Sequence, residues 1–140
     1  MMGFGAGARS YTQALHYSSE YAVGRTGVRS IIQHFIEADT HSFRIADYGC
    51  ELDEEEQRRR YVIKSLLRAD GLSLDQYRTY FASDAHSDFP ELKLLMDEEL
   101  ASQSTNVLCL SERGMEFSDA IGPWLFSSAT KDRMKLFELS

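Results

Sequence analysis

Apolar residues along this chain fall into short helical stripes, each introduced by a polar residue able to cap a helix. Ile31, Ile32, Phe35 and Ile36 recur at i, i+1, i+4 and i+5, which predicts a helix from Val28 to about Ala38. A short extended piece is expected from Phe43 to Tyr48. The clearest helix opens at Asp53, where Glu56 three positions later completes a capping box. Glu54, Glu55 and Glu56 suit the positive end of its dipole, and each precedes Arg58, Arg59 or Arg60 by four residues, the favourable order for ion pairs. Val62, Ile63, Leu66 and Leu67 form the buried stripe. Gly71 after Asp70 predicts a left-handed stop. Ser73 and Gln76 form a second capping box and open a short helix to about Phe81. Asp88 and Pro90 suit the start of a third helix, with Leu92, Leu95, Met96 and Leu100 on its apolar side. Ser102 to Asn106 reads as a polar turn, and Val107, Cys109 and Leu110 as a strand. Ser111 caps a fourth helix carrying Met115, Phe117 and Ile121, which Gly122–Pro123 is expected to interrupt. Trp124, Leu125 and Phe126 follow as expected core or, in a fragment, as part of a surface that faced a partner, and a last helix is predicted from Lys131 to Leu139.

The sum is a mainly α protein with a small β-ribbon. Helix, helix, helix, ribbon, helix is the order of a winged-helix-like domain, placed at 51–140. Residues 1–30 differ in character and hold five of the nine glycines, Gly3, Gly5, Gly7, Gly24 and Gly27.

A formal net charge of −7 disfavours nucleic acid, which demands a basic face, and an anionic membrane surface. The helix that would enter a DNA groove carries Glu91, Asp97, Glu98 and Glu99 against Lys93. No apolar run approaches the roughly 18 residues of a membrane span, and no signal-peptide layout opens the chain, so a cytoplasmic location is expected. Cys50 and Cys109 are expected to be buried free thiols. His16, His34, His41 and His86 lack the i,i+4 spacing of a helical zinc pair, so no metal site is expected.

Particular stretches carry a resemblance. Gly3-Phe4-Gly5-Ala6-Gly7-Ala8-Arg9-Ser10-Tyr11 resembles the Gly-x-Gly-x-x-Ala segment near the end of the catalytic barrel in the oxygen-independent coproporphyrinogen III oxidase (HemN/HemW-like) radical-SAM family. Arg59-Arg60-Tyr61-Val62-Ile63-Lys64-Ser65-Leu66 resembles that family's Arg-Arg-x-Val-Ile-Lys-Ser-Leu helix. Phe81, the pair Leu92 and Leu95, and Leu110-Ser111-Glu112-Arg113-Gly114 follow in the family's order, so that the likeness runs over residues 3–137. One departure is Glu99, where members often have glycine before Leu100.

The resemblance implies a remnant of a radical-SAM barrel end and a connecting helix at 1–50, followed by a HemN-like C-terminal domain that covers substrate. It places Gly5, Ala8 and Arg9 on the S-adenosylmethionine side of the parent's active site. The parent family uses a 4Fe–4S cluster held by a Cys-x-x-x-Cys-x-x-Cys run, and no such run occurs here. No cofactor or catalytic residue is therefore expected in this chain. A separate radical-SAM barrel is an expected partner, and the chain reads as a fragment or one half of a split enzyme. Without its barrel, the glycine segment is expected to be a disordered chain end. Arg58–Arg60 could bind propionates, but the preceding glutamates already account for them. The rival reading is a stand-alone winged-helix-like module that binds a protein.

Overall fold

The computed structural model describes residues 2–18, 24–45 and 48–138. The chain forms two compact units, residues 1–57 and 58–140. Both mix helices with a small antiparallel sheet.

In the first unit, β1 (Arg9–Tyr11), β2 (Leu15–Ser18) and β3 (Tyr48–Glu51) make an antiparallel sheet in the order β1-β2-β3. Tyr11 pairs with His16, and His16 with Cys50. The β1–β2 turn is closed by Thr12, whose N–H donates to the Leu15 carbonyl at 2.8 Å and whose hydroxyl accepts from the Leu15 N–H at 2.9 Å. Between β2 and β3 lies α1 (Arg25–Glu37). It starts three residues before the expected Val28, because Gly24 takes an extended conformation and its carbonyl accepts the first helical bond, from Val28. The extended piece expected at Phe43–Tyr48 is instead a 3-10 turn over Ser42–Arg44, with the strand beginning at Tyr48; residues 46 and 47 lie outside the described residues. Asp39 starts that turn by accepting from the Ser42 hydroxyl and the His41 N–H.

Helix α2 (Glu54–Leu66) begins as its capping box requires. The Glu56 N–H donates to Asp53 Oδ1 at 2.8 Å. The second unit then runs β4 (Leu72–Ser73), α3 (Leu74–Phe81), α4 (Ala85–Asp88), α5 (Glu91–Asp97), β5 (Ala101–Ser104), β6 (Val107–Leu110), α6 (Glu112–Glu116), α7 (Ser118–Trp124) and α8 (Ser128–Glu138). Its sheet order is β4-β6-β5, all antiparallel. Leu66, Leu72, Tyr77, Leu92, Leu108 and Leu125 are fully enclosed at its centre. Burying each such side chain stabilises the fold by about 1.5–3 kcal/mol.

Several expectations are corrected. The polar turn predicted at Ser102–Asn106 is mostly strand β5, and the reversal is confined to Thr105–Asn106. Only Ala101 of that strand is buried, so its solvent-facing residues carry no hydrophobic signal. Gly122–Pro123 does not interrupt a helix. The break falls at Phe117, and α7 continues through Pro123 to Trp124. The carbonyl that Pro123 leaves without an N–H belongs to Asp119, an exposed residue that water can serve. Asp88 ends α4 rather than opening the next helix, and Pro90 sits at the N-terminus of α5. The final helix starts at Ser128, and Leu139 lies outside the described residues. Cys50 and Cys109 are free thiols, half-buried rather than buried.

Two tight approaches fix the hairpin. Gly71 has φ +72°, and a Cβ there would meet the Leu108 carbonyl oxygen at 2.6 Å. Gly114 is buried under the Leu100 carbonyl, and a Cβ would overlap that oxygen. Ser111 ties the same corner. Its hydroxyl donates to the Glu99 carbonyl at 2.8 Å and accepts from the Gly114 N–H at 3.0 Å, while its N–H donates to the Leu100 carbonyl at 2.9 Å. Glu99 itself holds φ +58°, the left-handed region that favours glycine. Gly114→Ala is expected to lower unfolding stability by about 2–3 kcal/mol, and Leu66→Ala by about 2–5 kcal/mol, read from urea midpoints. An unchanged midpoint for Gly114→Ala would show that the corner relaxes freely.

Candidate functional site

The glycine segment, expected as a chain end, takes the conformation of a turn. Gly5 (φ +99°) and Gly7 (φ +73°) reverse the chain, and the Ala8 N–H donates to the Gly5 carbonyl at 3.1 Å. The Gly3 N–H donates to the buried Ser10 hydroxyl at 3.0 Å. A Cβ on Gly3 would come within 2.6 Å of the Arg9 carbonyl oxygen. No atom lies within 4 Å of a Cβ built on Gly5 or Gly7, so positive φ, and not crowding within the chain, demands glycine there. Gly5 is exposed, Ala8 half-buried, and Arg9 exposed on edge strand β1. The three residues thus share one turn-and-strand. Behind them the Tyr11 and His16 rings stack with centroids 4.3 Å apart.

The arginines of α2 do more than answer the glutamates before them. Arg59 Nη1 donates to the Leu125 carbonyl at 2.8 Å and lies 3.6 Å from Glu91 Oε1, while its guanidinium sits 4.9 Å from the Phe89 ring centroid. One planar cation thereby joins α2 to the start of α5 and to the end of α7. Arg58 Nη1 lies 3.7 Å from Asp88 Oδ2. These contacts commit both guanidinium groups to the fold, which removes the case for a propionate site built on them.

Asp88 is the hub of a half-buried polar cluster. Its Oδ2 accepts from the Tyr77 hydroxyl at 2.6 Å, and its Oδ1 from the Ser83 hydroxyl at 2.8 Å. Burial and then the bond to the Asp88 carboxylate push the Tyr77 phenol well above its ordinary value. Tyr61, whose ring meets those of Tyr77 and Phe81, is also raised, chiefly by burial. Asp84 caps α4, accepting from the Ser87 N–H at 3.0 Å, and that bond lowers its carboxyl.

An apolar groove opens between α5 and α7. Leu94, Leu95, Leu100, Phe117, Ile121 and Trp124 line a cavity of about 280 Å³, with Glu98 at its side. Trp124 was expected either in the core with Leu125 or, in a fragment, on a partner-facing surface. Leu125 is in the core, but Trp124 remains 42% exposed on the groove wall. Leu94 and Phe117 are also exposed there, at 53% and 50%. The sequence did contain a signal, since Leu94 adds an apolar residue off the buried stripe of α5.

Among the described residues no three His, Cys, Asp or Glu side chains gather as metal ligands. His86 Nε2 instead shares a hydrogen bond of 2.8 Å with Gln103 Oε1. No helix among the described residues is long and apolar enough to cross a membrane. Neither the family models nor the curated proteins and solved structures compared with the chain give a match.

Two measurements follow from the polar contacts. Tyr77 has a folded pKa above its unfolded value near 10, so its stabilising contribution is complete below about pH 10 and declines as pH climbs toward the folded value. Urea midpoints should fall between pH 9 and about 11 in the parent chain and fall less in Tyr77→Phe. At pH 8 that substitution should cost about 1.5–3 kcal/mol for the bond to the carboxylate. Equal alkaline slopes in the two proteins would refute this. Arg59→Lys should lose about 2 kcal/mol, because an ammonium cannot serve a carbonyl, a carboxylate and a ring face together. Arg68→Lys, at an exposed pair with Asp70, should change stability by less than about 0.5 kcal/mol.

Proposed function

We propose that this chain is the C-terminal accessory, substrate-covering part of a HemN-like radical-SAM oxidoreductase of porphyrin or heme metabolism, acting in the cytoplasm and inactive by itself. The observation that carries the reading is where the resembling residues lie. Val62 and Leu66 of the Arg59–Leu66 stretch, and Leu92 and Leu95, meet in one core. Ser111 and Gly114 lock the corner after the hairpin. The order α2, β4, α3, α4, α5, β5, β6 with sheet order β4-β6-β5 supports the winged-helix-like reading. The packing roles of Val62, Leu66, Leu92, Leu95 and Gly114 support a likeness of fold, to which chemistry would belong only through the rest of the enzyme.

The first unit supports a missing partner. Val28, Ile32 and Ile36 of α1 are 41%, 46% and 70% exposed, so a stripe made for burial faces outward. A radical-SAM barrel is the partner the resemblance assigns to it. The cluster and S-adenosylmethionine chemistry would belong to that barrel. The residues here do not fit a site-differentiated cluster, which needs three protein thiolates, because the chain has only Cys50 and Cys109.

A second reading, a stand-alone winged-helix-like protein-interaction module, is favoured by the groove between α5 and α7. In either reading DNA is a poor ligand, since α5 and the turn after it present Glu91, Asp97, Glu98 and Glu99 against Lys93.

Reconstitution of the purified chain with ferrous iron and sulfide under argon tests the central point. The expected result is no sulfur-to-iron charge-transfer band in the visible spectrum and no cleavage of S-adenosylmethionine. A stoichiometric four-iron centre would overturn the reading. The gene context separates the two readings. A neighbouring frame encoding Cys-x-x-x-Cys-x-x-Cys and a barrel that co-purifies with this chain, but not with an Ile32→Asp variant, supports the first.

A further inference from the structure

We propose that the groove between α5 and α7 receives helix α8 of a second copy of this chain, and that two copies exchange these helices. The association does not rest on the substrate-covering reading, and it assigns the groove to a second copy in place of the separate protein partner of the second reading.

Complementary surfaces meet in this arrangement. The groove floor is apolar, and the stretch of chain that forms it is acidic. From residue 91 to 124 the sequence holds seven carboxylates against two bases, Lys93 and Arg113, and Glu98 stands on the groove itself. Helix α8 has the opposite balance. Lys131, Arg133 and Lys135 outnumber Asp132 and Glu138. Residues 131–135 are all exposed, including Met134 at 47%. The ion pair of Lys135 with Asp132 is solvent-exposed and weak, so it leaves Lys135 available to a stronger partner. An 11-residue helix is about 16 Å long, enough to bring Met134 onto the groove floor with Lys131 and Lys135 near its border.

The chain's own α8 cannot take the place. Only residues 125–127 separate it from the Trp124 wall, and Leu125 and Ser127 are buried. Ser127 also caps α8, accepting from the Thr130 N–H at 3.0 Å, and Lys131 Nζ donates to the Trp124 carbonyl at 2.8 Å. Folding α8 back over its own groove would draw Leu125 from the core. A second copy meets no such constraint, and mutual exchange closes into a symmetric dimer.

The test uses the full chain in sedimentation equilibrium, from low micromolar to near-millimolar concentration. A reversible dimer is expected, weakened by added salt because the rim attraction is screened. Met134→Glu and Leu94→Glu, each at an exposed position, should raise the dimer Kd at least about tenfold while circular dichroism stays unchanged. Trp124 is the chain's single tryptophan, so its emission reports the groove directly. It should shift to shorter wavelength as concentration rises, and not in Met134→Glu. A monomer at every concentration overturns the proposal, as does a dimer indifferent to both substitutions or a Trp124 emission that never moves.

Discussion

A phenol can be sealed from water only if its hydroxyl keeps a partner, and Tyr77 meets that condition through Asp88. The carboxylate must then be satisfied in turn, and it draws on the Ser83 hydroxyl and on Arg58 of α2. Three segments, α2, α3 and the Ser83–Asp88 stretch, are thereby held in one register around a single side chain. Leucines alone would bury similar area in many arrangements, whereas breaking this cluster strands a charge away from water. Arg59, one residue along α2, extends the same logic to α5 and the end of α7. The polar contacts add directional constraints that apolar burial by itself does not supply.

Signals that act over four residues were legible in the sequence. Asp53, Ser73 and Ser111 each cap the helix predicted for them, and Gly71 takes the left-handed stop. Each works through its own neighbours, so the local sequence contains the whole cause. Features that need distant partners were not legible. Strand β5 has one buried residue and exists because β6 pairs with it. The sheet β1-β2-β3 joins residues some 30 positions apart across α1. The short α4 rests on Asp84 as its cap, with no apolar period to announce it. The groove arises only when Leu94 and Phe117, remote in sequence, come together.

The same distinction separates the site residues. Arg58 and Arg59 read as a solvated face balanced by glutamates, and their partners Asp88, Glu91 and Leu125 lie too far along the chain for spacing to reveal. Gly5, Ala8 and Arg9 were singled out by likeness to a radical-enzyme segment. Their geometry is an exposed turn leading into an edge strand, a shape that leaves backbone approachable and supplies no acid, base or nucleophile of its own. The exposed apolar side of α1 and the motif residues packed inside the second unit are the observations on which the proposal of a larger parent protein rests.

Glu99 sits at φ +58° where the hairpin leaves α5, a conformation that disfavours any residue with a Cβ by about 1 kcal/mol or more. Every glutamate codon lies a single base change from a glycine codon. A less strained joint is therefore one mutational step away, and that step would also subtract a negative charge from the acidic border beside Glu98. At this residue the step to glycine couples relief of backbone strain to a change of surface charge, so that one substitution would alter the joint and the surface next to it together.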